Sequence, residues 1–204
     1  MPFQPVPNVV QVNVRANLLG EPVENVLNFV TIPASAPTLA EVEDIVDRVV
    51  DAWIDNILPV VGGNYTLTSV LGTAIHDFGG AVYESTAGMP VDGAQSGEAL
   101  PGQNAVVITH RTGFSGRNFR GRTYLCGFVE SQVSGNFLTS GAQSAVSAAW
   151  AGFLADALGS EWNLVVVSRW FEGVLRDEGL ATVVSSSVLR NGRLDSQRRR
   201  MPRQ

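Results

Sequence analysis

The order of hydrophobic patterns is the feature that most constrains how this 204-residue chain folds. Stretches with strand-like alternation and stretches with helical spacing follow one another as strand, strand, helix, strand, strand, and the same order then recurs. An antiparallel sheet covered on one face by two helices satisfies both patterns. The sequence therefore predicts an α+β fold with two similar strand-strand-helix-strand-strand halves. On the sequence alone, these halves show no residue-level identity.

Two amphipathic helices are predicted, at about residues 38–58 and 140–158. In both segments the apolar residues recur at three- and four-residue steps, which gives each helix one apolar face. Thr38 has the spacing to its following glutamate that forms a capping box, and Ser140 with Gln143 has the same spacing. Each helix therefore has a predicted start as well as a face that it must bury.

The domain organisation follows from where these patterns are interrupted. We expect one structural subunit over residues 1–204, with halves at 1–86 and 104–194. Residues 87–103 are rich in Gly, Pro, Ser and Asp without periodicity, which is typical of an exposed loop that joins two units. Residues 195–204 form a basic C-terminal tail.

Charge divides the chain more sharply than composition does. The first 100 residues contain two arginines and twelve acidic residues, whereas residues from 101 onward contain twelve arginines and seven acidic residues. Only 16% of residues are charged and 45% are hydrophobic, which leaves few charges to cover the outside of a monomer. Acids on the polar side of the first helix repel one another unless cations from elsewhere meet them. The acidic interface candidates are Asp44, Asp47, Asp51 and Asp55.

The stretch TGFSGRNFRGRTYL, residues 112–125, concentrates arginine and glycine between two strand-like segments. The segment after Gly121 is rich in β-branched and aromatic residues, so the stretch is predicted to be a hairpin loop rather than a phosphate loop that leads into a helix. Three fates are open for its arginines: solvation, pairing with acids on a neighbouring subunit, or contact with nucleic-acid phosphates. The candidate interface or phosphate-contact residues here are Arg117, Arg120, Arg122, Phe114 and Phe119.

The basic tail supplies a second set of candidates. A run of arginines at a chain end is commonly solvated, but it can also bind phosphates without sequence preference or bind an acidic surface of another copy. The candidates in the tail are Arg198, Arg199, Arg200 and Arg203.

Catalytic and cofactor chemistry find little support in the sequence. His76 and His110 both lie in predicted strands without a cysteine or acid cluster at metal-ligand spacing. Cys126 is expected to be a buried apolar residue, although Cys126 or Ser115 beside His110 is the one nucleophilic arrangement that the residue types allow. No lysine is present for a Walker-type loop. We expect no enzyme activity, no cofactor, no metal and no membrane partner.

The segments ALPGQNAVVI, TGFSGRNFRGRTYLCG, SRWFEGVLRDEG and LDSQRRRMP together resemble virion structural proteins from environmental viruses and phages. The resemblance covers roughly residues 100–203 and implies a capsid or coat protein that self-assembles into a shell or tube, without catalytic residues. The implied localisation is the virion, after assembly in the host cytoplasm, and the implied partners are copies of the chain and nonspecifically bound viral nucleic acid. A phage tail, connector or neck component is the alternative within this class, and a small oligomeric nucleic-acid-binding protein that uses the arginine tail is the alternative outside it.

Overall fold

The computed structural model describes residues 8–31, 37–75, 80–97, 105–114, 117–134, 137–158, 165–173, 182–190 and 193–196. The elements of the first half are β1 (Asn8–Leu18), β2 (Glu21–Thr31), α1 (Leu39–Ala52), β3 (Tyr65–Ile75), β4 (Val82–Ser85) and β5 (Val91–Asp92). Those of the second half are β6 (Ala105–Phe114), β7 (Arg117–Leu125), β8 (Val133–Ser134), β9 (Phe137–Leu138), α2 (Ser140–Leu158), β10 (Val165–Gly173), β11 (Thr182–Arg190) and β12 (Arg193–Ser196). The predicted α+β class, with antiparallel sheet and two helices, is confirmed.

One antiparallel sheet contains ten of the strands, in the order β12-β11-β10-β6-β7-β2-β1-β3-β4, with β5 paired to β3. The four strands β2-β1-β3-β4 and the four strands β7-β6-β10-β11 have the same connectivity, read outward from the middle of the sheet. The two groups meet where Val26 of β2 pairs with Arg122 of β7. One topological unit is therefore used twice in a continuous sheet.

A step of 96 residues relates the first hairpins of the two halves. Leu18 and Glu21 close the β1–β2 hairpin, and Phe114 and Arg117, at 18 plus 96 and 21 plus 96, close the β6–β7 hairpin. Val26 and Arg122, which pair with each other, are separated by the same 96 positions. Antiparallel pairing of equivalent positions places a local twofold axis at this junction.

The same register aligns the first strands as NVVQVNVR and NAVVITHR. Residues coincide at Asn8 and Asn104, Val10 and Val106, and Arg15 and Arg111. These matches are too sparse to count as residue-level identity between the halves.

The helices lie on one face of the sheet. Val10, Val12 and Val14 of β1 are buried on this face. Helix α1 packs directly on β3, since a Cβ atom added at Gly72 would lie 2.5 Å from a methyl carbon of Val46. We call the opposite face of the sheet, which neither described helix covers, the open face.

The second helix packs against the end of the first rather than deep against the sheet. Trp53, which follows α1, meets Phe153 of α2 edge to face with ring centroids 5.3 Å apart, and Trp150 stacks on Phe153 at 5.1 Å. All three rings are fully buried. Neither described helix is both long and apolar enough to cross a bilayer.

The first helix begins where predicted and ends in a different way. The Thr38 hydroxyl accepts a hydrogen bond from the Glu41 N–H at 3.3 Å, and the Glu41 carboxylate accepts one from the Thr38 N–H at 2.6 Å. The α-helix ends at Ala52, and the rest of the predicted segment becomes a π-helical turn at Trp53–Ile57 and a 3-10 turn at Leu58–Val60. The side chains of Trp53 and Ile57 are buried in the core at the point where the α-helix gives way to the π-helical turn.

One local prediction is wrong by one residue. The cap of α2 is Thr139, whose hydroxyl accepts from the Ala142 N–H at 3.3 Å, rather than Ser140. The two neighbouring residues offer equivalent chemistry, so spacing alone does not distinguish them. The first hairpin turns at Leu19 and Gly20, with φ of 54° and 92°.

The predicted linker is more ordered, over its described part, than its composition indicates. Val91 and Asp92 pair with β3, and the Ala94 N–H donates to the Leu58 carbonyl at 2.9 Å. These contacts attach the segment to the first half, while residues 98–103 lie outside the described range. At the other end of the chain, β12 (Arg193–Ser196) pairs with β11, so the first two residues of the predicted tail belong to the sheet.

Candidate interaction surfaces

The four acidic candidates of the first helix form one solvent-facing stripe. Asp44, Asp47 and Asp51 lie on α1 and Asp55 lies in the π turn, and all four are exposed. The stripe faces outward because the apolar side of α1 is buried on the sheet. The described residues offer it one nearby cation, Arg48, whose guanidinium lies 2.8 Å from an Asp44 carboxylate oxygen. We call these four carboxylates the acidic helix face.

Strand pairing brings arginines of the second half to opposite ladder positions. Arg111 pairs with Arg120 across β6 and β7, and Arg190 pairs with Arg193 across β11 and β12. In β7, Thr123 and Leu125 are buried. The second half therefore has arginine at both members of two ladder pairs.

In the first half, the equivalent ladder position pairs an arginine with an acid. The Arg15 guanidinium lies 3.0 Å from a Glu84 carboxylate oxygen and 3.5 Å from a Glu24 carboxylate oxygen. The Ser69 hydroxyl donates to the same Glu84 oxygen at 2.8 Å. Arg15 and Glu24 are directly paired across β1 and β2, so this is a cross-strand ion pair of the kind that stabilises sheets. The open face of the first half thus satisfies its arginine internally.

The ladder register shows how the sequence differs between the halves. Arg111 holds the position of Arg15, but Arg120 holds the position of Glu24. The ladder that runs from Thr109 through Arg169 to Ser186 matches the one from Asn13 through Leu71 to Glu84, so Ser186 holds the position of Glu84. The positions equivalent to the two glutamates are therefore not acidic in the second half.

The predicted hairpin is present as β6 and β7. Arg117, Arg120 and Arg122 belong to strand β7 rather than to a loop, because the β6–β7 ladder continues to Phe114 and Arg117. Phe114 and Phe119 also lie in the paired strands. The predicted long loop is wrong because Gly113 and Gly121 lie in the ladder as well, while Gly116 lies outside the described residues.

The tail candidates Arg198, Arg199, Arg200 and Arg203 lie outside the described residues, as do His76 and Ser115. Cys126 is buried, as predicted, and burial raises the pKa of its thiol to about 12. A buried thiol with a raised pKa stays protonated at neutral pH, which is the opposite of an activated nucleophile. The described residues also contain no group of three His, Cys, Asp or Glu side chains placed to hold a metal ion.

Burial also raises the pKa of Tyr65, with a smaller contribution from the neighbouring Cys126. The two residues lie where the halves meet behind the sheet. Gly127, which follows Cys126, would place an added Cβ atom 2.8 Å from the Cβ of Tyr65, and its carbonyl accepts from the Gly62 N–H at 2.7 Å. The exit of β7 is thus fixed against the start of β3.

The sequence analysis did not single out Arg111, Arg190 or Arg193, which strand pairing places opposite other arginines. Such a pairing can be read only when the register between the strands is known. Comparison with protein families, with curated proteins and with solved structures finds no match to this chain. Its function is therefore inferred from the sequence and the fold.

Proposed function

We propose that this protein is a structural subunit that assembles with copies of itself, of the type that builds a viral coat. The observation that supports the proposal is the sequence of strand β10 together with the small number of charges in the chain. Strand β10 (Val165–Gly173) lies inside the sheet, between β6 and β11.

Interface cores are enriched in arginine and aromatic residues and depleted in lysine and acids, whereas a solvated sheet face is mainly polar. Strand β10 carries apolar residues at both parities, a pattern typical of strands that are covered on both faces. Only 16% of the residues in the chain are charged. If another copy covers part of the surface, fewer charged residues are needed to keep the remaining surface polar.

The proposed place of action is the virion, after assembly in the host cytoplasm, and the proposed role is structural rather than enzymatic. A tail, connector or neck component remains the alternative within the same class, because rings and tubes use the same kind of subunit contact as shells. The twelve arginines from residue 101 onward also favour a second candidate, an oligomeric nucleic-acid-binding protein, since arginines bind phosphates.

Sedimentation velocity over a wide concentration range, with electron microscopy of the same samples, tests the proposal. We expect wild-type protein to form large assemblies and Val167→Asp to shift the distribution at least tenfold toward small species. Val82→Asp is the matched control, because Val82 is 56% exposed on the edge strand β4 of the first half. A wild-type chain that stays monomeric throughout, or a folded Val167→Asp variant that assembles normally, would overturn the proposal.

A further inference from the structure

We propose that the core of this protein binds a water molecule between the side chains of Tyr65, Trp53 and Thr123. The site lies at the seam, by which we mean the place behind the sheet where the exit of β7 packs against the start of β3. It is independent of the proposed self-assembly, because it concerns the interior of a single chain. Its starting point is a group of buried polar atoms that the protein itself leaves without a partner.

Three such atoms lie in the core: the Tyr65 hydroxyl, the Trp53 indole nitrogen and the Thr123 hydroxyl. All three residues are 0% exposed, and none of the three atoms has a hydrogen-bond partner among the described residues. Buried polar groups are almost always paired, with protein or with ordered water, because an unpaired group loses its bonds to solvent on burial. The three atoms therefore point to a partner that is not a protein side chain.

Tyr65 and Trp53 are neighbours in the core. Burial, and then the nearby Cys126, raises the pKa of Tyr65, while the adjacent side chains of Trp53 and Asn25 oppose that rise. The Trp53 indole nitrogen and the Tyr65 hydroxyl thus lie close to each other, yet they form no direct hydrogen bond. A polar contact of this kind is one that a bridging water completes.

Strand pairing brings Thr123 to the same place. Val26 of β2 is paired with Arg122 of β7. The next step of this antiparallel register sets Asn25 opposite Thr123. Both of these residues are fully buried, and opposite positions of a ladder have Cβ atoms about 5 Å apart. Since Asn25 also lies beside Tyr65, the hydroxyls of Thr123 and Tyr65 border the same side chain.

A water molecule fits the hydrogen-bonding capacities of the three groups. The indole nitrogen only donates, so its partner must offer a lone pair, whereas each hydroxyl both donates and accepts. The water oxygen accepts from the Trp53 N–H, and the two water hydrogens are donated to the hydroxyl oxygens of Tyr65 and Thr123. A buried water typically makes about three hydrogen bonds, which is the number that this arrangement supplies.

The chemistry of the seam favours a neutral ligand over an ion. The three groups are uncharged, and burial raises the pKa of both Tyr65 and Cys126, so neither ionises at neutral pH. Among the described residues, the buried polar side chains include no Asp, Glu or Arg. An ion without a counter-charge is costly to bury. The occupant is therefore a small neutral molecule that both donates and accepts hydrogen bonds, as water does.

A water in this position links the two halves of the fold. Tyr65 begins β3 of the first half, and Thr123 lies in β7 of the second half. Trp53 begins the π-helical turn that follows α1, and its ring packs on Phe153 of α2. One molecule would thus connect both parts of the sheet to the helix layer by hydrogen bonds, in addition to the apolar packing around it.

A high-resolution crystal or cryo-electron microscopy structure of the full chain tests the site directly. We expect a peak of solvent density within hydrogen-bond distance of the Tyr65 hydroxyl, the Trp53 indole nitrogen and the Thr123 hydroxyl. Density that shows the indole donating directly to Tyr65, or no solvent peak between the three groups, would overturn the proposal.

A double-mutant cycle tests the same site in solution. Tyr65→Phe and Thr123→Val each remove one hydroxyl and keep most of the side-chain shape, and each should raise the unfolding equilibrium constant roughly fivefold. When both are combined, the second substitution should add no more than about twofold, because the first has already weakened the binding of the water. Urea denaturation measures all three variants.

The matched control cycle combines Thr123→Val with Tyr83→Phe, because Tyr83 is a half-buried tyrosine on β4, away from the seam. In this cycle the two effects should multiply. If the effects of Tyr65→Phe and Thr123→Val multiply in the same way, the two hydroxyls do not share a water and the proposal is wrong. Circular dichroism identifies any variant that fails to fold, and the wild-type structure then decides the question. None of these outcomes bears on self-assembly, which the sedimentation measurements test separately.

Discussion

The two halves of the molecule share a connectivity and differ in the charges at equivalent ladder positions. Arg15 in the first half lies within 3.5 Å of two glutamates. In the second half, the register pairs Arg111 with Arg120. A repeated unit can thus keep its backbone pattern while its sequence changes the charge at a paired position.

The two helices also differ in where they pack. Gly72 of β3 lets α1 lie directly on the first half of the sheet. Helix α2 packs on the end of α1 through the contact between Phe153 and Trp53.

The seam between the halves should show the largest effect on stability. Gly127→Ala puts a side chain at φ of 85° and brings its Cβ within 2.8 Å of Tyr65, and the free energy of unfolding should fall by about 2–4 kcal/mol. Urea denaturation measures the change. Gly141→Ala on α2 is the control, because nothing lies within 4 Å of its added Cβ. Equal unfolding midpoints for the two variants would mean that the seam is not closely packed.

Alkaline pH should weaken the same seam. The folded pKa of Cys126 is about 12 and that of Tyr65 is also raised, so both groups ionise more readily in the unfolded chain. Their contribution to the free energy of unfolding is fully present below the ordinary thiol pKa of about 8.5. It is lost as the pH rises toward the pKa values of the folded state, by up to about 1.4 kcal/mol per group for each pH unit.

Urea midpoints measured from neutral pH to about pH 11 follow this loss. Cys126→Ala should flatten the slope between about pH 9 and 11, leaving the part that belongs to Tyr65. A slope that the substitution leaves unaltered would mean that Cys126 does not contribute to the loss of stability at alkaline pH.

Converting the first half to the charge pattern of the second tests the comparison itself. Glu24→Arg places an arginine opposite Arg15, as Arg120 stands opposite Arg111, and should lower the free energy of unfolding by about 0.5–1 kcal/mol. Glu24→Gln, which removes the charge without reversing it, should cost less. Thermal unfolding at low salt measures both variants, and high salt should reduce the difference between them.

If Glu24→Arg and Glu24→Gln unfold alike, repulsion at this ladder position is negligible.

The smallest expected effect concerns the first hairpin turn. Leu19 adopts φ of 54° and is 48% exposed, whereas asparagine tolerates this region and Asn-Gly is the preferred two-residue turn. Leu19→Asn should therefore stabilise the protein by about 0.5 kcal/mol. Leu19→Ala is the control and should bring no gain, because it keeps the unfavourable backbone region. A loss with asparagine would mean that the Leu19 side chain contributes packing.

Local patterns were sufficient to predict the elements of the fold. Three features of the first helix depend on residues that are close together in sequence, so the helical period predicts them. They are the capping pair at Thr38, the apolar stripe that follows it and the exposed stripe of aspartates. The arginines of the second half were predicted only in part. Arg120 and Arg122 stood out because they are crowded, while Arg111, Arg169 and Arg190 are isolated in sequence and become neighbours only through strand pairing.

The sequence by itself determined the class of fold, the two-part order of its elements, the buried state of Cys126 and the concentration of acids on one helix, because each depends on local spacing and composition. Only the tertiary structure decided which positions face each other across the sheet, and hence that Arg15 is paired with Glu24 whereas Arg111 is paired with Arg120. The physical reason is that register between strands distant in sequence is set by the joint packing of both faces, and a shift of one residue would send Arg15 and Glu24 to the other side of the sheet.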